Sequence, residues 1–134
     1  MNQAFFDTWT PRVLALLRIV TGYLYIQHGM AKLLGVPHVP MFDNLQYFSI
    51  MGLAGVLELA SGALLIIGLF TRITGFILSG EMAVAYFSIH AMQGHVLTPM
   101  LNQGELAIMF CFVFLLFAVA GPGTWSLDRT ARRR

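Results

Sequence analysis

Arg18-Ile-Val-Thr-Gly-Tyr-Leu-Tyr-Ile-Gln-His-Gly-Met-Ala-Lys32 decides how the rest of the chain is read. Wound as a helix at roughly 100° per residue, it places Arg18, Thr21, Gly22, Tyr25, His28, Gly29 and Lys32 on one face. The remaining positions are mostly Ile, Val, Leu and Met. One side suits lipid, and the other is polar, small or ionisable. Ionisable groups in such a helix face the inside of a bundle or a cavity, so the other helices have to supply their partners.

The composition agrees. Of 134 residues, 57% are hydrophobic and 10% charged, and mean hydropathy is +0.74. A soluble domain carries about 25% charged residues, so most of this surface meets something other than water. Net charge is +2, with Arg129, Arg132, Arg133 and Arg134 clustered at the end. That tail reads as an anchor at an anionic membrane surface, and no basic–aromatic interleaving points to nucleic acid. Cys111 is the single cysteine. It excludes an intrachain disulfide and CxxC relay chemistry, and its Phe-rich surroundings fit an inert thiol.

Four spans are expected, at residues 12–34, 50–70, 73–92 and 103–120. The first should start at Thr10-Pro11, with Pro in the first turn. Its apolar run is too long for a signal-peptide core and lacks a small-residue cleavage site, so it is expected to remain as a span. Gly35, Pro37 and Pro40 break it. Residues 35–49 then mix His38, Phe42, Asp43, Asn44, Tyr47 and Phe48, which fits a connector lying along the membrane interface. Gly52, Gly55, Gly62 and Gly68 allow close approach in span two. Thr71-Arg72 reads as the turn of a hairpin. The face through Thr74, Leu78, Glu81, Ala85 and Ser88 should point inward, with His90 on the opposite side of a regular helix. Asn102 and Glu105 have the form of a capping box opening span four, and Gly121-Pro122-Gly123 ends it. Arg12, Arg72 and the tail arginines fall on one side of this topology, which puts both termini in the cytoplasm and the four histidines toward the outside.

The fold class is therefore all-α, an integral membrane four-helix bundle in a single domain, 1–134. By axial rise, Glu58 and Glu81 lie within about 3 Å of mid-depth, and Arg18 and His28 about 7 Å to either side. A charge there costs about 2.5–3.5 kcal/mol on insertion scales, so partners are required. Arg18 with Glu81 is the simplest buried ion pair, and Lys32 or His28 with Glu58 or Glu105 the second. Such pairs can serve only to fix helix register. His28, Lys32, Glu58 and Glu105 are also candidates for ligand binding or proton handling, because ionisable groups of opposite type can exchange the two protons of a quinone–quinol couple. No HxxxH or HExxH spacing supports a metal, and no histidine pair stands out as haem ligands.

The same residues carry a resemblance. Arg18, His28-Gly29-Met30-Ala31-Lys32-Leu33, Glu58 with Gly62, Gly68-Leu69-Phe70-Thr71-Arg72, Glu81, Asn102-Gln103-Gly104-Glu105, and Gly121-Pro122-Gly123 followed by Ser126-Leu127-Asp128 stand in the order and spacing of DoxX, a family of small four-span membrane proteins. The likeness covers about residues 12–130. It implies a plasma-membrane four-helix bundle associated with redox chemistry, since the family is named for a subunit of a terminal quinol oxidase. It implies no demonstrated reaction.

Two functions follow as expectations. One is a quinone- or quinol-interacting membrane protein working with a separate redox enzyme, because the chain has no motif for holding electrons itself. The other is a non-catalytic scaffold that recruits such an enzyme. A homodimer is compatible with either. A small transporter has less support, because no inverted repeat is evident.

Overall fold

The computed structural model describes residues 2–131, so Arg132, Arg133 and Arg134, to which part of the tail-anchor reading applies, lie outside the described residues. Among those described there is no strand, and the all-α class holds. The long helices are α1 (Gln3–Leu34), α2 (Ile50–Ile67), α3 (Thr71–Ala85) and α4 (Glu105–Ala120), followed by a short α5 (Leu127–Ala131). The described residues form two compact units, one of residues 2–71 with 122–131 and the other of residues 72–121.

In the first unit α1 packs along α2. Gly22 and Gly29 of α1 and Gly62 of α2 let the backbones meet. A Cβ on Gly29 would lie 2.5 Å from the Leu59 nitrogen and 2.7 Å from the Gly55 oxygen, and one on Gly62 would strike Ile26 at 2.7 Å. Small residues are what helix pairs in lipid require, since the acyl chains leave no hydrophobic drive for association. The inward face of α1 is as the periodicity reads it. Ala15, Arg18, Thr21, Gly22, Tyr25 and Gly29 are buried, while Leu16, Val20 and Leu24 are exposed. His28 departs from it and is exposed.

The start of α1 corrects the expected span. The helix begins nine residues before residue 12, because Asn2 caps it by accepting from the Ala4 N–H at 3.1 Å. Pro11 sits inside the helix and does not open it. At 1.5 Å per residue α1 is about 48 Å long, against about 30 Å of hydrocarbon. Its first turns, with Trp9 beneath the Arg12 guanidinium at 5.1 Å, reach past the apolar layer. Among the described helices α2 is the one long and apolar enough to cross a membrane by length and composition, and α4 is a shorter apolar helix.

The α2–α3 turn is also displaced from its expected place. Gly68, at φ 69°, ends α2, and Thr71-Arg72 already belong to α3. Residues 122–131 then fold back over this turn. The Asp128 carboxylate accepts from the Phe70 and Thr71 N–H groups, both at 2.8 Å, and so caps the start of α3. Asp128 N–H donates to the Gly68 carbonyl at 3.0 Å, and Thr124 N–H to the Pro11 carbonyl at 3.0 Å.

In the second unit α3 packs on α4. A Cβ on Gly75 would lie 2.7 Å from the Phe114 oxygen, and Cys111 Sγ sits 3.3 Å from the Ser79 carbonyl as a weak donor. Arg72 donates to the Ala118 carbonyl at 3.0 Å and to that of Val119, satisfying the last turn of α4. Thr74 and Leu78 are buried as expected. Ser88, on the same predicted face, is exposed, because a π turn at Tyr86–His90 breaks the 3.6-residue period. His90 would lie opposite Glu81 only on a regular helix, and the π turn ends that register.

The Asn102–Glu105 capping box does not form. Gly104 is the N-cap of α4 and gives no side-chain cap. Asn102 holds the connector together, accepting from Gly104 N–H at 2.9 Å and donating to the His95 carbonyl at 3.3 Å. Buried at 2% exposure, it meets its donor and acceptor needs within the loop.

Candidate functional site

Two groups of buried charge stand in the first unit. One is structural. Arg18 is fully buried, and its N–H groups all point at main-chain carbonyls. Nη1 donates to Leu65 and, at 2.9 Å, Ile66. Nε donates to Pro122 at 2.9 Å, and Nη2 to Trp125 at 2.8 Å and Thr124 at 3.5 Å. Leu65 and Ile66 belong to the last turn of α2, where unpaired carbonyls and the negative end of the helix dipole favour a cation. The arginine thus bonds to carbonyls of its own unit, and the pairing with Glu81 expected from the sequence stays a proposal. Glu81 is half-buried on α3, in the second unit.

The other group borders a cavity through Lys32. Lys32, in the last turn of α1, passes over Gly55 of α2, where a Cβ would meet Lys32 Cβ at 3.0 Å. One turn further along α2, Glu58 Oε1 accepts from Lys32 Nζ at 2.6 Å. The lysine and glutamate side chains are 9% and 5% exposed. Gly55 and Glu58, three residues apart on one helix face, thus provide the passage and the partner.

The connector closes over this pair. Gly35 ends α1 at φ 66°, and a 3₁₀ turn at Pro40–Phe42 brings the Phe42 ring 5.8 Å from Lys32 Nζ, within cation–π range. His38 Nε2 lies 2.8 Å from Asp43 Oδ1. Ser49 caps α2 through Gly52 N–H at 3.2 Å, and Gly52 leaves space for the Tyr47 carbonyl that a Cβ would occupy. The result is a cavity of about 270 Å³ whose lining includes Lys32, Leu34, His38, Phe42, Asp43 and Tyr47.

Of the four residues singled out as ligand or proton candidates, the structure joins Lys32 to Glu58 and places Lys32 on the cavity wall. His28 is exposed one helical turn earlier, its ring 6.1 Å from that of Tyr25, and is not among the cavity residues. Glu105 is exposed in the first turn of α4, in the second unit. His38, Phe42 and Asp43 were not among the candidates. Their signal was the unusual mixture of aromatic and ionisable side chains in a fifteen-residue connector, a composition that neither spans a bilayer nor floats free of one. Among the described residues no cluster of His, Cys, Asp or Glu is arranged to hold a metal.

A helical chain with an apolar exterior and a charged pair inside defines a membrane protein with a polar interior. The DoxX family pattern matches residues 13–91, and the chain belongs to that family of membrane proteins. It is similar to an uncharacterized protein of Haemophilus influenzae, 45% identical over 124 residues, covering 91% of this chain and 92% of the relative. It is also similar to the Escherichia coli "Inner membrane protein YqjF", 27% identical, with 87% and 90% covered. A third relative is the Bacillus subtilis protein named "Putative oxidoreductase CatD", 26% identical, with 84% and 82% covered. No solved structure matches the chain.

Proposed function

We propose that this protein holds the head group of a quinone or quinol in the Lys32 cavity and acts as a membrane subunit beside a separate redox enzyme. The observation that carries the reading is the buried Lys32–Glu58 pair, 2.6 Å apart, whose lysine lies on the wall of an aromatic-lined pocket. Its volume, about 270 Å³, lies just below that of drug-sized ligand sites, which run about 300–1,000 Å³. That suits one ring and leaves an isoprenoid tail outside, in lipid. Lys32 can donate to a quinone carbonyl, and Glu58 can take or return a proton through it. His28 and Glu105, both exposed, would be further proton-handling groups. A chain with one cysteine cannot ligate an iron–sulfur cluster by itself, so electrons pass to or from the partner enzyme.

The printed names "Inner membrane protein YqjF" and "Putative oxidoreductase CatD" favour an inner-membrane location and a redox setting. The arginine asymmetry favours cytoplasmic termini. The test is thermal unfolding in nanodiscs with a short-chain quinone. At a hundredfold excess over Kd, binding to the native state alone contributes about 2.7 kcal/mol, which should raise Tm by several degrees in the wild type and not in Lys32→Met. No shift at saturating quinone would overturn the proposal.

A second reading, a non-catalytic scaffold, is favoured by Arg18, whose buried charge serves the fold alone. It predicts that Glu58→Gln and His28→Ala lower stability without altering any response to quinone.

A further inference from the structure

The His38–Asp43 pair is the part of the cavity for which the proposed function has no use. It spans five residues of the connector, at 2.8 Å, and both residues line the same cavity as Lys32. The two side chains are 68% and 51% exposed. A surface contact so exposed contributes at most about 0–1 kcal/mol, so stability alone gives little reason for it.

Its chemistry gives a better one. An ionised aspartate can only accept hydrogen bonds, so a contact at 2.8 Å puts the proton on His38 Nε2. In a neutral ring Nδ1 is then left as an acceptor. Lys32 offers donors only, so the cavity has a donor on one wall and an acceptor on another. Tyr47, also on the wall, carries a hydroxyl that both donates and accepts, and it discriminates nothing. The oxygens of a quinone accept only, whereas those of a quinol also donate. Lys32 serves both forms, whereas Nδ1 of a neutral His38 can bond only to the form that bears a hydroxyl.

We infer that His38, oriented by Asp43, is a specificity-determining residue that makes the Lys32 cavity prefer the quinol over the quinone. This rests on the reading of the cavity as a quinone/quinol site, and the two are tested separately. The probes are a short-chain benzoquinone and the same compound kept reduced with dithionite under argon. Each is titrated into the full-length protein in nanodiscs at one fixed pH. The wild type should bind the quinol about tenfold more tightly, the equivalent of one hydrogen bond. His38→Ala should weaken quinol binding about tenfold and quinone binding less than twofold. His38→Gln, which keeps an acceptor, should recover part of the preference, and Asp43→Asn should reduce it by releasing the fixed tautomer. Equal affinities in the wild type, or an equal loss for both forms in His38→Ala, would overturn the inference and leave the cavity as a quinone site. If the wild type binds neither probe, the quinone reading fails and the inference fails with it.

Discussion

Lys32 and Glu58 show what a buried charge requires of its neighbours. Removing one partner of such a pair costs about 3–5 kcal/mol, whereas replacing both with apolar residues of similar volume is often neutral. Lys32→Met should therefore destabilise the protein by about 3–5 kcal/mol in denaturant titration in detergent, and Lys32→Met with Glu58→Leu should recover most of the loss. If the double variant is as unstable as the single one, the pair is not the energetic unit described here. Arg18 presents a different case. Its five N–H groups meet five carbonyls, and lysine carries only three donors. Arg18→Lys should then cost at least about 2 kcal/mol in the same titration, because buried carbonyls lose their partners. Helical periodicity put both cations on the inward face. It could not name the arginine's partners, because they are main-chain groups of residues 65–66 and 122–125, which no side-chain pattern encodes.

At the scale of elements, helices were more legible than their ends. Apolar runs and Gly/Pro breaks located all four long helices, and α4 falls within two residues of its expected start. Ends depend on single caps, and those went astray at Asn2, at Gly104 and at the π turn following Ala85. The turn at Gly68 gives a sharp test. Gly35 and Gly68 both have positive φ, at 66° and 69°. A Cβ on Gly35 would meet nothing within 4 Å, whereas one on Gly68 would lie 2.5 Å from Ser126 Cβ and 2.8 Å from Arg18 Cζ. Gly35→Ala should thus cost only the left-handed strain, about 1–2 kcal/mol. Gly68→Ala should cost clearly more and loosen the C-terminal segment, which hydrogen exchange of residues 122–131 would report. Equal costs would mean that the close approach at Gly68 contributes nothing. Asp128→Ala removes both cap bonds at the start of α3 and should cost about 1–2 kcal/mol.

For the whole molecule, composition settled the class and could not reveal the cavity. A chain that leaves Leu53, Val56, Phe76, Val84, Phe112 and Val119 exposed on its helices is built for acyl chains, and the DoxX match agrees. The site depends on a connector whose fold comes from a 3₁₀ turn, a His–Asp contact and two helix ends acting together, none with a hydrophobic period to read. The C-terminal segment is equally global, since residues 122–128 touch α1, the end of α2 and the start of α3. A chain ending at Gly121 should lose three of the carbonyls around Arg18 and fail to yield a folded species on size exclusion.

The central claim is that a ring-shaped ligand enters the cavity closed by residues 31–47 and meets Lys32. Photolabelling in nanodiscs with an azido-quinone, followed by peptide mapping, tests it most directly. Label within residues 31–47 that unlabelled quinone competes away and that falls several-fold in Lys32→Met is the predicted result. Label that is spread over the lipid-facing helices and is insensitive to competitor would contradict it.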